Sequence, residues 1–511
     1  MSIYRYDDPN SRRIASYANI YARYRQCRKR KRRTVNALLF EQQLEENIMQ
    51  LSHELLSGAY RPRPALAFML HKPKQREIFA ADFYDRVVHH ILVAELEPLW
   101  ERRFIYDSYA CRVGKGNLAA VQQLQRFTRQ ATGNNTQRAY YLQLDIKGYF
   151  NSIDRNILFE RLCNAGMQPM LHDLAQKIIY QDITADCRIK NAPRADFMAM
   201  PARKTLFKAP SHKGLPIGNL TSQFFGNVYL DALDQFVKHR LKVRWYVRYC
   251  DDFVLLSRSK QQLESWRKEI ERFLADRLDV QLRDDYRLAR VSNGIDFLGY
   301  IVRPTHLLVR RRVVASLDDT LHRADKQLRA GGYATEPDGS KRLPFDNAML
   351  TKLQSSLSAY QGHLKHAASY RLWIVKRKKY PWLEDYFTFD KDGAISLCYP
   401  EWKPATTLQR QIDMARYRFS GAIVLVQVGA WWRVYYPQST SRHQCNQLVH
   451  HAYVKAYGET LQNKGYTVVT IAQTGRRVTT IYDRQLAWLL IPSRAGSTHR
   501  DGAELKQLRL L

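Results

Sequence analysis

The sequence predicts an α/β (α+β) protein of several compact units. Three observations carry that expectation. Long stretches repeat apolar residues at helical spacing. Shorter runs rich in Tyr, Val and Leu, bounded by turn residues, read as strands between them. The composition is that of a folded chain: of 511 residues, 45% are hydrophobic and 25% charged, which argues against a mainly disordered chain. At roughly 100–200 residues per domain, the length suggests about three to four units.

The elements follow in order. Residues 1–60 read as helical. The basic run RYRQCRKRKRRT (23–34) leads into ALLFEQQLEENIMQLSHELLSG, whose apolar spacing is helical and which stops at Gly58. Residues 61–130 mix strand and helix, with 82–101 helical up to Pro98. Residues 138–146 read as a strand and 155–180 as helical, while 183–212 is irregular and basic. In 221–240, Phe225, Val228, Ala232 and Phe236 share one helix face. VRWYVRYCDDFVLLS (243–257) reads as two short strands around a tight turn, 260–276 as helix, and IDFLGYIV (295–302) as a strand. From about 310 to 388 the chain is helical and basic, interrupted by a turn-rich stretch at 331–346. Composition shifts near 389–405, and 419–492 alternates strand-like and helix-like segments.

Charge narrows the function. Lys plus Arg is 81 against 48 for Asp plus Glu, a formal net charge of +33. Phosphates neutralised by such side chains release counterions, so a polyanion partner is expected. A membrane is not, since no run of about 18 apolar residues exists. The N-terminus lacks the apolar core of a secretory signal. The seven cysteines show no CxxC pair, so neither a zinc site nor a disulfide framework is indicated. A reducing, cytoplasmic setting is expected.

Against this basic background three acidic residues stand out. Asp145 ends the predicted strand at 138–146, and Asp251 and Asp252 sit at the tip of the 243–257 hairpin. Adjacent aspartates in a half-buried turn repel each other, and a divalent cation would relieve that cost. Carboxylate oxygens suit Mg²⁺, and a pair of ions stabilises attacking and leaving oxygens in phosphoryl transfer. A solvent-exposed Asp–Asp turn is the plainer alternative.

Tyr249-Cys250-Asp251-Asp252 resembles the YxDD box of reverse transcriptases. LDIKGYFNSID (144–154), GLPIGNLTSQFFGNVYLD (214–231) and FLGY (297–300) resemble the first palm motif, the motif that follows it, and the primer grip. KPKQREIFAADFYDRVVHH (72–90) and DSYACRVGKGNLAAV (107–121) are similar to the fingers motifs of group II intron-type enzymes. The boxes keep their order across about 30–310. The resemblance implies a right-hand polymerase fold: a basic helical extension (1–60), fingers (61–137), palm (138–305) and helical thumb (306–390). A linker (391–418), an accessory domain (419–492) and a tail (493–511) would follow.

The same resemblance assigns roles. Asp145, Asp251 and Asp252 form the catalytic carboxylates. Asp145, Asp251 and the carbonyl of Ile146 face two Mg²⁺ ions, and Mn²⁺ is compatible with the same ligands. Lys72 and Arg76 hold the incoming deoxynucleoside triphosphate. Phe150 excludes a 2′-hydroxyl, unless it is plain core. Ile217, Gly218 and Gln223 complete the pocket, and Phe297, Leu298, Gly299 and Tyr300 form the primer grip.

One departure narrows the subgroup. Most relatives carry Gln-Gly then Ser-Pro in the third box, whereas this chain has Ile217-Gly218 and Ser222-Gln223. That form, together with YQGHLKHAASYRL (360–372), resembles reverse transcriptases of diversity-generating retroelements. The implied function is an RNA-directed DNA polymerase that copies a template-repeat RNA, errs opposite adenine, and serves mutagenic retrohoming. Ile cannot make the polar contact Gln could; alternatively Ile217 merely packs and fidelity is ordinary.

AIVLVQVGAWWRVYY (422–436) and the segment 461–492 resemble the N-terminal mismatch-recognition domain of MutS proteins. Trp431 and Arg433 stand where that family has Phe and Glu. Trp can still stack on a base; the alternative is a buried Trp431–Trp432 pair. No GxxxxGK[ST] motif accompanies it. The expected partners are template RNA, primer and cDNA, deoxynucleotides, and a small basic accessory oligomer, in a prokaryotic or phage-encoded system. A phage-defence or group II intron-type enzyme is the competing expectation, and a catalytically silent RNA-binding scaffold a third.

Overall fold

The computed structural model describes residues 4–29, 34–71, 74–331, 334–335, 341–342, 346–390, 393–397, 422–428, 431–437, 447–471, 480–482 and 488–489. Two compact units divide the chain, 1–308 and 309–511.

The first unit opens with four helices: α1 (Pro9–Ile14), α2 (Tyr17–Arg28), α3 (Val35–Gln42) and α4 (Leu44–Ser57). Asp8 and Ser16 accept hydrogen bonds from the free N–H groups that start α1 and α2. Gly58 ends α4 in the left-handed conformation that glycine adopts without steric cost. These helices bury Ile14, Ile20, Tyr24, Phe40, Ile48 and Leu51 in the main core. Next come β1 (Leu66–Leu70), β2 (Arg76–Ala80), α5 (Phe83–Glu101) and α6 (Asn117–Ala131). The expected stop at Pro98 does not occur: α5 runs on to Glu101. Pro98 lies in its last turn, where its missing N–H removes a single i→i−4 bond, the one to the Ala94 carbonyl.

The central sheet begins with β3 (Tyr140–Asp145), followed by α7 (Tyr149–Ser152), α8 (Arg155–Cys163), α9 (Pro169–Ile179), β4 (Arg188–Lys190) and α10 (Arg194–Ala199). The helical stretch expected over 155–180 is thus two helices, parted near Gly166 at φ 84°. Within the stretch read as irregular, β4 pairs in parallel with β1. Then come α11 (Leu220–Gln235), β5 (Trp245–Tyr249), β6 (Asp252–Ser257), α12 (Lys260–Leu278) and β7 (Arg287–Arg290). The order is β5-β6-β3-β7, antiparallel throughout. Apolar residues of α11 and α12, including Phe225, Val228, Ile270 and Leu274, share a core with Leu142, Leu144, Phe253 and Leu255 of the sheet. After Gln235 the helix continues as a wider π-type turn over Phe236–Arg240.

IDFLGYIV is not one strand. It forms β8 (Ile295–Phe297) and β9 (Tyr300–Val302), with β10 (Leu307–Val309) beside β9. Leu298 and Gly299 both take positive φ, 49° and 93°, so the backbone reverses where a largely apolar segment suggested extension.

The second unit contains α13 (Arg311–Ala330), β11 (Ala334–Thr335), β12 (Lys341–Arg342), α14 (Asn347–Leu364), α15 (Tyr370–Lys379), α16 (Leu383–Tyr386), β13 (Phe387–Phe389) and β14 (Ile395–Leu397). Beyond them lie β15 (Ile423–Val428), β16 (Trp431–Tyr435), β17 (Gln447–His450), α17 (Val454–Asn463), β18 (Val468–Ile471), β19 (Thr480–Tyr482) and β20 (Trp488–Leu489). The last strands form one sheet, β17-β16-β15-β18-β19-β20. Leu317, Leu321, Leu350 and Leu357 of the helices share an apolar cluster with Val424, Val426 and Tyr435 of that sheet.

Candidate active site

The β5–β6 hairpin forms because both strands alternate or continue apolar residues that bury against α11 and α12. Cys250 and Asp251 make the turn, and Cys250 takes a left-handed φ of 56°. Asp252 opens β6 directly opposite Asp145 at the end of β3. Opposed residues of an antiparallel pair project to the same face, so pairing alone brings the two acidic positions together.

The Asp251 carboxylate is near enough to act on Asp145. Burial, then the Asp251 charge, pushes the Asp145 carboxyl up to about 7, although the Arg283 guanidinium opposes the shift. Arg283 Nη1 lies 3.3 Å from Asp145 Oδ2, and the Arg283 N–H donates to the Asp145 carbonyl at 2.9 Å. Gln143 Nε2 donates to Asp252 Oδ1 at 3.0 Å and to the Asp296 carbonyl at 3.1 Å. The carboxylate face is thereby tied to the β8–β9 hairpin. Phe297 and Tyr300 of that hairpin are buried, and Leu298 and Gly299 make its turn.

The other predicted pocket residues sit as follows. Ile146 is buried directly after Asp145. The Phe150 ring packs on Tyr149, centroids 5.2 Å apart, and the Phe150 carbonyl accepts from the Leu215 N–H at 2.7 Å. The Phe79 N–H donates to the Ile217 carbonyl at 2.9 Å. Gly218 has φ 128°, and a Cβ there would stand 2.7 Å from the Phe79 carbonyl oxygen. Only glycine permits that approach. Arg76 opens β2 and is exposed, so the strand that carries it is bonded to the pocket loop. Gln223 is exposed and accepts from Cys111 Sγ at 3.4 Å. Lys72 lies outside the described residues.

Sequence reasoning missed four residues of this region: Gln143, Arg283, Arg248 and Asp234. None belongs to a motif that carries chemistry by type, and only the packing of separate segments reveals them. A further group, Asp154, His212 and Asp279, has its ligand atoms within 4.8 Å of one another. Its carboxylates are already engaged: Asp154 caps α8 and Asp279 pairs with Lys213 at 2.6 Å.

Residues 70–302 match the family described as Reverse transcriptase (RNA-dependent DNA polymerase). These residues are a reverse transcriptase domain, and the chain is an enzyme of that class. The chain is 26% identical over 313 residues to the protein YkfC of Escherichia coli, covering 54% of this chain and 75% of that one. It is 23% identical over 325 residues to the group II intron-encoded protein LtrA of Lactococcus lactis, covering 51% of this chain and half of LtrA. A solved telomerase from Candida tropicalis aligns at a TM-score of 0.34 and 12% identity, over 48% of this chain and 55% of that one.

Reverse transcriptase domains use divalent metal ions. The residues present fit such an ion. Two carboxylates are pressed together, partly out of water, with one exposed guanidinium to offset them. A dication would offset both the burial and the Asp251 repulsion that raise Asp145. Among the described residues, no helix is long and apolar enough to cross a membrane.

Trp431 and Arg433 belong to the second unit. Trp431 is 49% exposed and Trp432 5%, so the two are not a buried pair. The Trp431 ring meets His450 edge-on at 5.1 Å, and exposed Tyr453 lies beyond His450 at 6.4 Å. Arg433 projects to the same face of β16 as Trp431, two residues on.

Proposed function

We propose that this chain is the polymerase of a diversity-generating retroelement, copying a template-repeat RNA into cDNA with errors opposite adenine. The observation that carries the polymerase part is the convergence of Asp145, Asp251 and Asp252 at one end of the palm sheet. In this reading Asp145, Asp251 and the Ile146 carbonyl hold two Mg²⁺ ions, which supply charge neutralisation for the attacking and leaving oxygens. Asp252, held by Gln143, adds negative potential beside them. Arg76 and Lys72 bind the triphosphate; a planar guanidinium suits that contact. Phe150 lies beneath the sugar and favours deoxynucleotides, and Gly218 lets the main chain approach the nascent pair. Phe297, Leu298, Gly299 and Tyr300 hold the primer end.

The retroelement part rests on Ile217. Its main chain is bonded to Phe79, and its side chain has no polar group to offer a templating base. In the second unit the Trp431–His450–Tyr453 surface, with Arg433 beside it, takes template, primer or structured RNA by stacking. It represents the MutS-like accessory domain of the reading. A small basic accessory oligomer and a prokaryotic cytoplasmic setting complete the proposal. The competing reading, a phage-defence or group II intron-type enzyme of ordinary fidelity, draws on the similarity to LtrA.

The deciding experiment is primer extension on a defined RNA template with deoxynucleotides and Mg²⁺, with product errors counted for each template base. Errors concentrated opposite adenine are expected; even, low errors favour the competing reading. Asp251→Asn should lower extension by about 1,000-fold, equivalent to roughly 4 kcal/mol of barrier. Unchanged extension would remove the site from the proposal.

A further inference from the structure

Beneath the carboxylates lies a buried polar hub. Arg248, three residues before Asp251, is fully buried, and so is Asp234 of α11. Arg248 Nε donates to Asp234 Oδ1 at 2.8 Å and Nη2 to Oδ2 at 2.5 Å. Nη2 also donates to Ser108 Oγ at 3.0 Å. Nη1 donates to Asn227 Oδ1 at 3.3 Å and to the Cys250 carbonyl at 3.0 Å. All five guanidinium donors therefore find acceptors, which a lysine with three donors on one nitrogen could not reproduce.

The surroundings repeat the message. Tyr246 Oη donates to Asp234 Oδ1 at 2.8 Å, and Asn227 Nδ2 to the Ala110 carbonyl at 2.7 Å. The Arg248 main chain also bonds residues 107 and 109 in both directions, each at 3.0 Å. One side chain thus joins α11, β5, the 107–110 segment and the hairpin tip. At that tip Cys250 holds the left-handed φ of 56°, where a side chain is disfavoured. Such a conformation persists only where the surroundings over-determine it.

We propose that Arg248, held by Asp234, is a positioning residue. By gripping the Cys250 carbonyl it fixes the turn that aims Asp251 at Asp145, and so sets the affinity of the site for divalent cations. This rests on the reading of Asp145 and Asp251 as metal ligands. The ion pair is buried away from solvent, and its effect on the site runs through one main-chain carbonyl. Outer groups that orient a metal ligand ordinarily change affinity without touching the ion.

The test uses the full chain and measures Mn²⁺ binding by the loss of the free-ion paramagnetic resonance signal, without any reaction. Melting temperature and the Mg²⁺ dependence of primer extension are recorded alongside. Arg248→Lys should weaken Mn²⁺ binding by about 10-fold or more. The Mg²⁺ half-saturation should rise in parallel, with little change in KM for deoxynucleotide. Tyr246→Phe removes a donor from Asp234 and leaves the Cys250 contact intact. It should lower the melting temperature with Mn²⁺ affinity unchanged.

The proposal is overturned if Arg248→Lys binds Mn²⁺ as the wild type does. It is equally overturned if Tyr246→Phe shifts affinity as much as Arg248→Lys. Should Arg248→Lys not fold, Asp234→Asn keeps the shape of the hub and must show the same weakened binding. Asp251→Asn separates the two levels: if it leaves Mn²⁺ binding intact, the metal-site reading fails and the role of Arg248 falls with it, whereas weakened binding in Asp251→Asn beside wild-type binding in Arg248→Lys overturns the role of Arg248 alone.

Discussion

The palm sheet of the first unit and the terminal sheet of the second put their functional candidates on strands in contrasting ways. In the palm, charges stand at strand ends above a buried network of Arg248, Asp234, Tyr246 and Asn227. On β16, alternation alone sorts the residues: Trp431 outward at 49% exposure, Trp432 inward at 5%. A carboxylate cluster needs a framework that resists its own repulsion, whereas an aromatic surface needs only the pleat. Substitutions should therefore propagate in the palm and stay local on β16.

The largest effect that tests this contrast is in the palm. Asp234→Ala leaves the Arg248 guanidinium buried without its partner, and such a loss costs about 3–5 kcal/mol. Denaturant unfolding followed by a first-unit signal would measure it. A loss below about 1 kcal/mol, the usual worth of a surface ion pair, would show that the hub is not a framework.

On β16 the paired substitutions should diverge. Trp432→Ala opens a cavity and should destabilise the second unit by about 3–5 kcal/mol. Trp431→Ala should change stability by no more than about 0.5 kcal/mol. It should instead weaken single-stranded RNA binding by about 1–3 kcal/mol for each base stacked, read by fluorescence anisotropy. Equal stability losses at the two positions would erase the distinction.

The smallest effect concerns pH. Asp145 is held up to about 7, above the ordinary carboxyl value of 3.8, chiefly by burial and then by the Asp251 charge. The folded chain thus binds a proton that the unfolded chain has released between those values. Metal-free stability should fall as pH rises through that window and level off above it. The side chain is 40% exposed, so solvent screening keeps the penalty small. In chelator, Asp145→Asn should melt about 2–4 °C higher than wild type at pH 8 and equally with it near pH 4.

Much of this was legible in the sequence where one short segment carries the signal. The β5–β6 hairpin, the β3 strand and α11 each declare themselves through apolar spacing, and the acidic triplet stands out against a +33 chain. What was not legible depends on contacts between distant segments. The reversal at Leu298–Gly299 follows from the antiparallel pairing of β8 with β9, which a largely apolar segment conceals. Arg248 reads as one more basic residue in a basic protein. Only the meeting of α11, β5 and residues 107–110 makes it a buried centre. Gln143 and Arg283 gain meaning only once β3 has neighbours on both sides.

The bond between the Phe79 N–H and the Ile217 carbonyl has an evolutionary corollary. It is made by main chain alone, and it would form with almost any side chain at 217. The neighbouring position is the reverse, since Gly218 tolerates no side chain against the Phe79 carbonyl. Selection therefore finds a fixed hinge and an adjustable dial side by side. A substitution at 217 would thus leave this main-chain bond in place, whereas one at 218 would displace the strand that carries Phe79.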